Sequence, residues 1–402
     1  MTERLPLQGL KVLDVATWIA APAAAVVLGD YGAEVIKVEQ PGEGDPHRAN
    51  INLAHFPKAK ANYPWHLDSR NKRSVALDLK APAGRAALER LIGHADILIT
   101  NFPLPVRERL KLRFDDVKGV NPRLIYASFT GYGEEGPDKN QPGFDSNAYF
   151  ARSGIFDTGR YDGQPPAFSL PAQGDRASAM GFLSGILMAL YERERTGKGR
   201  MVMSSLYANG LWSNGVMVQA ALVGAYIGLR PPRDAPRSAL ANIYETRDGR
   251  WIQLSVVREE KLWTSLCEAI GHAELIADPR FAETAPRRRN AAALTAILDG
   301  VFRSRDWPEW SEILKAGNLT HAPIAKLSDV PEDAQAEAAA AVIPTSIPDM
   351  PRTLAAPFQL DGVTPRRPEP APDLGADTDA VLREAGFSDA EIQALRASGA
   401  AA

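Results

Sequence analysis

The 402 residues carry 46 Lys and Arg against 49 Asp and Glu, a formal net charge of −3, so no general positive field draws the chain to nucleic acid or to a membrane surface. The length exceeds what one ordinary core fills, which predicts two domains. A single cysteine, Cys267, excludes an intrachain disulfide and fits a reducing cytoplasm, and no Cys/His cluster has the spacing of a metal site.

The opening MTERLPLQG has no apolar signal region, and no later stretch reaches membrane length, so the protein is expected in the cytoplasm. Leu10 to Ala16 reads as a buried parallel strand, Pro22 to Asp30 as a helix with Pro in its first turn, and Ala33 to Glu39 as a second strand. Together they make a βαβ unit. A nicotinamide site would place G-x-G-x-x-G in the first turn, where ATWIAAPAA stands instead, so Glu39 alone is a weak match to a ribose-binding acid.

Pro41 to Arg48 is a Gly/Pro turn ending in a cation, and Ile51 to Trp65 reads as irregular structure. Asp68 to Leu79 is a basic loop feeding a strand. Its Arg70, Lys72 and Arg73 either form a solvated turn or meet phosphate groups at a strand mouth. Pro82 to Gly93 is a helix, Ala95 to Thr100 a strand, and Asn101 to Leu112 a loop entering a helix crowded by Arg107, Arg109 and Lys111. Arg123 to Phe129 is a further strand. The glycines of Thr130 to Pro137 are not a Walker loop, because no G-K-[ST] follows, but they suit a backbone passing close to a ligand or another segment.

The stretch Ser169 to Arg200 organises the chain. Ala177 to Tyr191 runs almost without polar interruption and reads as a buried helix, ended by Gly197 and Gly199. Asp175 falls at or just before its N-terminus, where unpaired N–H groups favour negative charge. As a cap the acid would be structural only. A carboxylate held ionised by helix-end N–H groups in an apolar crevice is also a candidate nucleophile.

Beyond it, Met201 to Ser205 is a short strand and Leu206 to Ile227 a helix; Leu229 to Arg237 reads as a linker. A hairpin from Ile243 turns at Asp248-Gly249, followed by helices at Glu260 to Ile270, Ala291 to Phe302 and Trp307 to Ala316. Cys267 falls in the first of these as a core thiol, and Arg287 to Arg289 read as a solvated face. Pro344 to Pro372 should run extended, with Asp377 to Leu395 a final helical region.

In order, LKVLDVA with AAP, GAEVIKVEQPGEGDPHR, RNKRSVALDLK, ADILITNF, NPRLIYASFTGYGEEGP and GDRASAMGFLSGILMALYERERTGKG resemble the class III coenzyme A transferases, the family of formyl-CoA, carnitine-CoA and bile-acid CoA transferases. The resemblance covers nearly all of Leu7 to Tyr207 and continues loosely through DGRWIQL, DPRFA and VLREAGF. It implies an α/β fold: a large Rossmann-like domain built from both chain ends (residues 1–228 and 326–402), a smaller inserted α/β domain (229–325), and an interlocked homodimer. It further implies transfer of CoA from an acyl-CoA donor to a free carboxylic acid, with Asp175 as nucleophile forming a mixed anhydride and then an aspartyl-CoA thioester. Asp145 would orient it. Coenzyme A, a substrate rather than a resident cofactor, would be held by Ala20, Asn71, Lys72, Arg73, Asn101, Phe102 and Arg109, with no metal.

Three departures are visible. Ile19 stands where oxalate-handling relatives carry glutamine, Gln40 where some have a phosphate-binding arginine, and SALANIY, Ser238 to Tyr244, where some have a glycine-rich loop. The competing readings are an α-methylacyl-CoA racemase of the same fold and a CoA-binding protein without chemistry. The racemase needs two opposed bases, and Phe144 stands in Gly143-Phe144-Asp145 where it has histidine.

Overall fold

The computed structural model describes residues 4–54, 56–166, 168–169 and 171–402, so the first residues of the opening segment and Leu170 of the central stretch lie outside the description. The chain divides into two compact units, one of Met1–Ile155, Phe168–Val223 and Gln335–Ala402, the other of Phe156–Ala167 and Gly224–Ala334.

The first unit is built on six parallel strands: β1 (Lys11–Val15), β2 (Glu34–Glu39), β3 (Lys72–Ala76), β4 (Ile97–Thr100), β5 (Ile125–Thr130) and β6 (Met201–Ser205), in the order β3-β2-β1-β4-β5-β6. Side chains alternate across a strand, so neighbours enter opposite layers. Val12, Ile97 and Ile125 face one core, and Leu13, Leu98 and Tyr126 face the other. The first core is closed by α1 (Ala20–Asp30) and the long α5 (Gln173–Thr196); the second by α3 (Pro82–Gly93) and the C-terminal helices α11 (Thr378–Glu384) and α12 (Asp389–Ala397). Every residue of α1 is buried, because its alanines let α5 pack directly against its backbone.

Several local expectations change. At the end of the segment read as irregular, α2 (Tyr63–Ser69) forms with Pro64 in its first turn, whereas α4 (Leu104–Arg109) follows β4 as the expected loop entering a helix. The helix expected over Leu206 to Ile227 is two, α6 (Leu206–Ser213) and α7 (Gly215–Leu222), broken at Asn214. The helix expected to be buried on all sides, α5, presents one face to the sheet, while Met188 and Tyr191 are exposed.

The C-terminal segment covers an edge. The β3 backbone N–H groups of Ser74 and Ala76 donate to the Asp377 carboxylate and Thr378 hydroxyl, and Leu77 pairs with Ala401. An open strand edge is thereby removed. Val342–Pro344, at the start of the stretch expected to run extended, and Arg352–Leu354, inside it, form a separate antiparallel pair.

In the second unit, β7 (Ala241–Glu245), β8 (Trp251–Ser255) and β9 (His321–Pro323) form an antiparallel sheet, with the β7–β8 turn at Asp248-Gly249. Helices α8 (Glu259–Ala269), α9 (Ala291–Phe302) and α10 (Trp307–Ala316) build its core around Trp310, Phe302 and Cys267, whose thiol is pushed up to about 12 by burial. Arg287 is not a solvated cation. It is buried over the Trp263 ring and paired with Glu259.

Candidate active site

Between β1 and β4 the winding direction of the sheet reverses, and in open α/β sheets the crevice beyond the strand ends at that point is where ligands bind. A cavity of about 210 Å³ lies there. Its wall takes Thr17 to Ala20 from beyond β1, Asn101 and Pro103 from beyond β4, Phe129 to Gly131 from the end of β5, Pro142 to Phe144, Leu206, and Asp175 from α5. Asn101 fixes the first turn, accepting from the Thr17 N–H at 2.9 Å and donating to the Thr17 carbonyl at 2.6 Å. A larger hollow of about 480 Å³ around Tyr31, Phe358 and Arg366 contains neither Asp175 nor any residue of the six parallel strands.

Asp175 is the third residue of α5, so it is no cap; the cap position belongs to Ala172, held at φ 68°. The expectation that helix-end N–H groups hold Asp175 ionised is corrected. Those groups serve Asp145 instead: its carboxylate accepts from Gly174 N–H at 3.3 Å, with Ala172 and Ser146 N–H groups acting in the same sense. Gly174 makes this possible, because a Cβ there would meet the Tyr149 ring at 2.7 Å and the Asp145 Cβ at 2.9 Å. Asp145 itself opens a π-helical turn, Asp145–Ala151, which turns its carboxylate onto the start of α5.

The electrostatics follow. Burial, then the Asp145 and Asp68 carboxylates, push Asp175 up to about 7, with Arg176 opposing. Burial likewise raises Asp145 against its backbone hydrogen bonds. Asp68 goes the other way: burial would raise it, but Arg176 at 2.9 Å and His47 at 3.0 Å hold it below the usual carboxylate range. Asp175 therefore titrates near physiological pH, so that a substantial share of it is charged there, the protonation behaviour a candidate carboxylate nucleophile needs.

Of the other residues picked from sequence, Ala20 and Asn101 line the cavity with Asp175. Phe102 follows directly, packed against the second core, its carbonyl accepting from Arg107. Arg109 is exposed at the end of α4 and enters no ion pair among the described residues. The basic loop before β3 is not brought to the cavity. The Lys72 ammonium is buried on Asp14 at 2.8 Å and the Pro22 carbonyl, Arg73 pairs with Glu34 and Glu384, Arg70 with Asp30, and Asn71 donates to Asp30. These cations lie opposite acids brought in by neighbouring segments, pairings that their own spacing does not reveal. Glu39 is likewise taken by Arg48.

Sequence reasoning missed Trp18 and Asp68, and singled out Phe144 only as the residue standing where the racemase has histidine. Trp18 is held at φ 65°, its N–H donating to Asp45, which Lys37 pairs at 2.8 Å. A bulky residue at positive φ has no signature in the sequence. Among the described residues no group of three or more His, Cys, Asp or Glu could hold a metal.

A doubly wound sheet with a buried carboxyl of raised pKa at its switch point, and no G-x-G-x-x-G in its first turn, defines a Rossmann-like α/β protein whose site differs from that of a nicotinamide dinucleotide. The chain belongs to CoA-transferase family III, whose model matches residues 7–378, and it is accordingly a CoA-transferase. It is 32% identical to the (R)-2-hydroxy-4-methylpentanoate CoA-transferase of Clostridioides difficile, over 98% of both chains. It is 32% identical to the succinyl-CoA–L-malate CoA-transferase beta subunit of Chloroflexus aurantiacus, again over 98% of each. A CAIB/BAIF family protein from Brucella suis superposes with a TM-score of 0.83 at 28% identity, covering 95% of this chain and all of that one.

Proposed function

We propose that this transferase moves CoA from an acyl-CoA to a free carboxylic acid through covalent intermediates on Asp175. The carboxylate adds to the thioester carbonyl, and the C–S bond breaks to give a mixed anhydride and CoA thiolate. The thiolate then attacks the aspartyl carbonyl, releasing the donor acid and leaving an aspartyl-CoA thioester. The acceptor carboxylate displaces the thiolate, forming a second anhydride, and the thiolate attacks the acceptor's carbonyl to release the new acyl-CoA and restore Asp175. Each step exchanges one acyl bond for another, so no oxidant or metal is needed.

The observation that carries this reading is the raised carboxylate in an apolar cavity at the switch point. Asp145 acts as a positioning residue, tying the start of α5 through Gly174. Coenzyme A would run along the strand mouths past Ala20, Asn101 and Phe102, with the exposed Arg109 to meet its phosphates. Asn71, Lys72 and Arg73 stand outside this reading, since they lie at the start of β3 with their side chains engaged by Asp30, Asp14, Glu34 and Glu384. The partner is a second copy: exposed Met188, Tyr191, Trp212, Val216 and Leu222 give the first unit an apolar exterior that an interlocked homodimer would cover. A cytoplasmic setting fits the lone, buried Cys267.

The test is trapping. Incubation with acyl-CoA followed by hydroxylamine should convert Asp175 to its hydroxamate, located by peptide mass spectrometry. Asp175→Asn should lower exchange by about 10³-fold or more. Full modification-free turnover, or an active Asp175→Asn, would remove the covalent mechanism.

A further inference from the structure

Resting on the transferase reading, we infer that both acids exchanged by this enzyme are monocarboxylates with an apolar chain, and that Trp18 and Phe144 form the wall that selects them. Both half-reactions pass through one carboxylate, so donor and acceptor acyl groups must fit one cavity in turn. That cavity, at about 210 Å³, is smaller than the ~300–1,000 Å³ of sites that enclose drug-sized ligands, and suits an acyl group rather than a whole thioester.

Its charge decides the class. The described lining contains no Lys, Arg or His, and its one ionisable side chain is Asp175. Behind Asp175 stand two further acids, Asp145 and Asp68, whose charges already raise it. Arg176, the neighbouring cation, is paired with Asp68 and lies outside the lining. A second carboxylate on the acyl group would enter this negative surround without a partner, the arrangement by which sites reject a competitor.

The apolar side of the cavity is built deliberately. Ile19 and Leu206 are buried in its wall, while Trp18 and Phe144 remain 38% and 57% exposed and meet edge to face with ring centroids 6.1 Å apart. Trp18 adopts a left-handed backbone that bulky side chains rarely take, and Asp45 and Lys37 hold it there from beneath. A strained residue over-determined by its surroundings marks a functional demand. Here the demand is an indole kept beside the nucleophile and free to cover an acyl chain.

The experiment compares substrates on the wild-type enzyme: 4-methylpentanoyl-CoA and 3-phenylpropanoyl-CoA against succinyl-CoA and glutaryl-CoA, each with 13C-labelled 4-methylpentanoate or 13C-labelled glutarate as acceptor, the labelled CoA esters being read by mass spectrometry. The apolar donors and acceptor should exceed the dicarboxylates in kcat/KM by about 10²-fold or more. Comparable or better use of the dicarboxylates would overturn this inference and leave the transferase reading standing. Absence of exchange with every pair would overturn both. Trp18→Ala should shrink the apolar-to-dicarboxylate ratio at least tenfold, and an unchanged ratio would remove Trp18 from the selecting wall.

Discussion

Asp175 ionises late for a carboxylate because water is largely withdrawn from it and two acids stand close by. In the proposed mechanism its charged form is the nucleophile, so kcat/KM should rise with pH along a limb centred near 7, falling about tenfold per unit below it. Removing one of the two acids lowers the cost of ionisation. Asp145→Asn should therefore move that limb toward lower pH, and a pH profile with an unmoved limb would show that Asp145 acts only through position. The same strain has a stability sign. A carboxyl whose folded value lies above its unfolded value near 4 stabilises the fold while protonated, and that contribution is lost as pH rises through about 7. Asp175→Asn should accordingly raise the stability at pH 8 by on the order of 2 kcal/mol after solvent screening, read as a higher melting temperature, with the gain fading toward pH 4. A variant melting identically at both pH values would contradict the burial argument.

At the scale of elements, the site depends on backbones that approach more closely than side chains allow. Gly174 admits the Asp145 carboxylate and the Tyr149 ring to the first turn of α5, and Gly131 and Gly143 cross so tightly that a Cβ on either would lie within 2.7 Å of the other's Cα. Gly174→Ala should force the π-helical turn away from α5, costing about 1–3 kcal/mol. Because that turn carries Asp145, kcat should fall while the far-UV spectrum stays that of wild type. Melting and activity both unchanged would mean that the turn shifts freely. The glycine-rich Thr130 to Pro137 segment thus fits the reading of a close backbone approach, with Gly131 making it.

For the whole molecule, the C-terminal segment is structural. Val381, Leu382, Ile392 and Leu395 close the second core, burial worth roughly 1.5–3 kcal/mol each, while Asp377, Thr378 and Ala401 satisfy the β3 edge. Their sum rivals the ~5–15 kcal/mol by which a whole domain is stable. A chain ending at residue 372 should be insoluble, and a soluble product of unchanged melting temperature would contradict this. If two copies are interlocked as proposed, they cannot part without unfolding. The protein should then sediment at twice the mass of one chain, and differently tagged dimers mixed under native conditions should form no mixed species over days. Rapid exchange would exclude interlocking.

The sequence by itself determined the strands and most helices of both units, because short apolar runs and their Gly/Pro boundaries are local properties: Pro82 to Gly93 in the first unit, and Trp307 to Ala316 and the Asp248-Gly249 turn in the second, fall as read. It also singled out Asp175, since an acid opening a long apolar helix is conspicuous in one dimension. Only the tertiary structure decided which groups surround that acid. Asp68 arrives from α2 and Asp145 from the π-helical turn, and their effect on Asp175 arises from distances no local pattern encodes, while Trp18 joins the cavity wall from beyond β1. For the same reason Lys72 and Arg73, plausible phosphate ligands as a charged run, became partners of Asp14 and Glu384 once folding brought acids from distant segments against them. Charge is written in the chain, but what a charge meets is set by the fold.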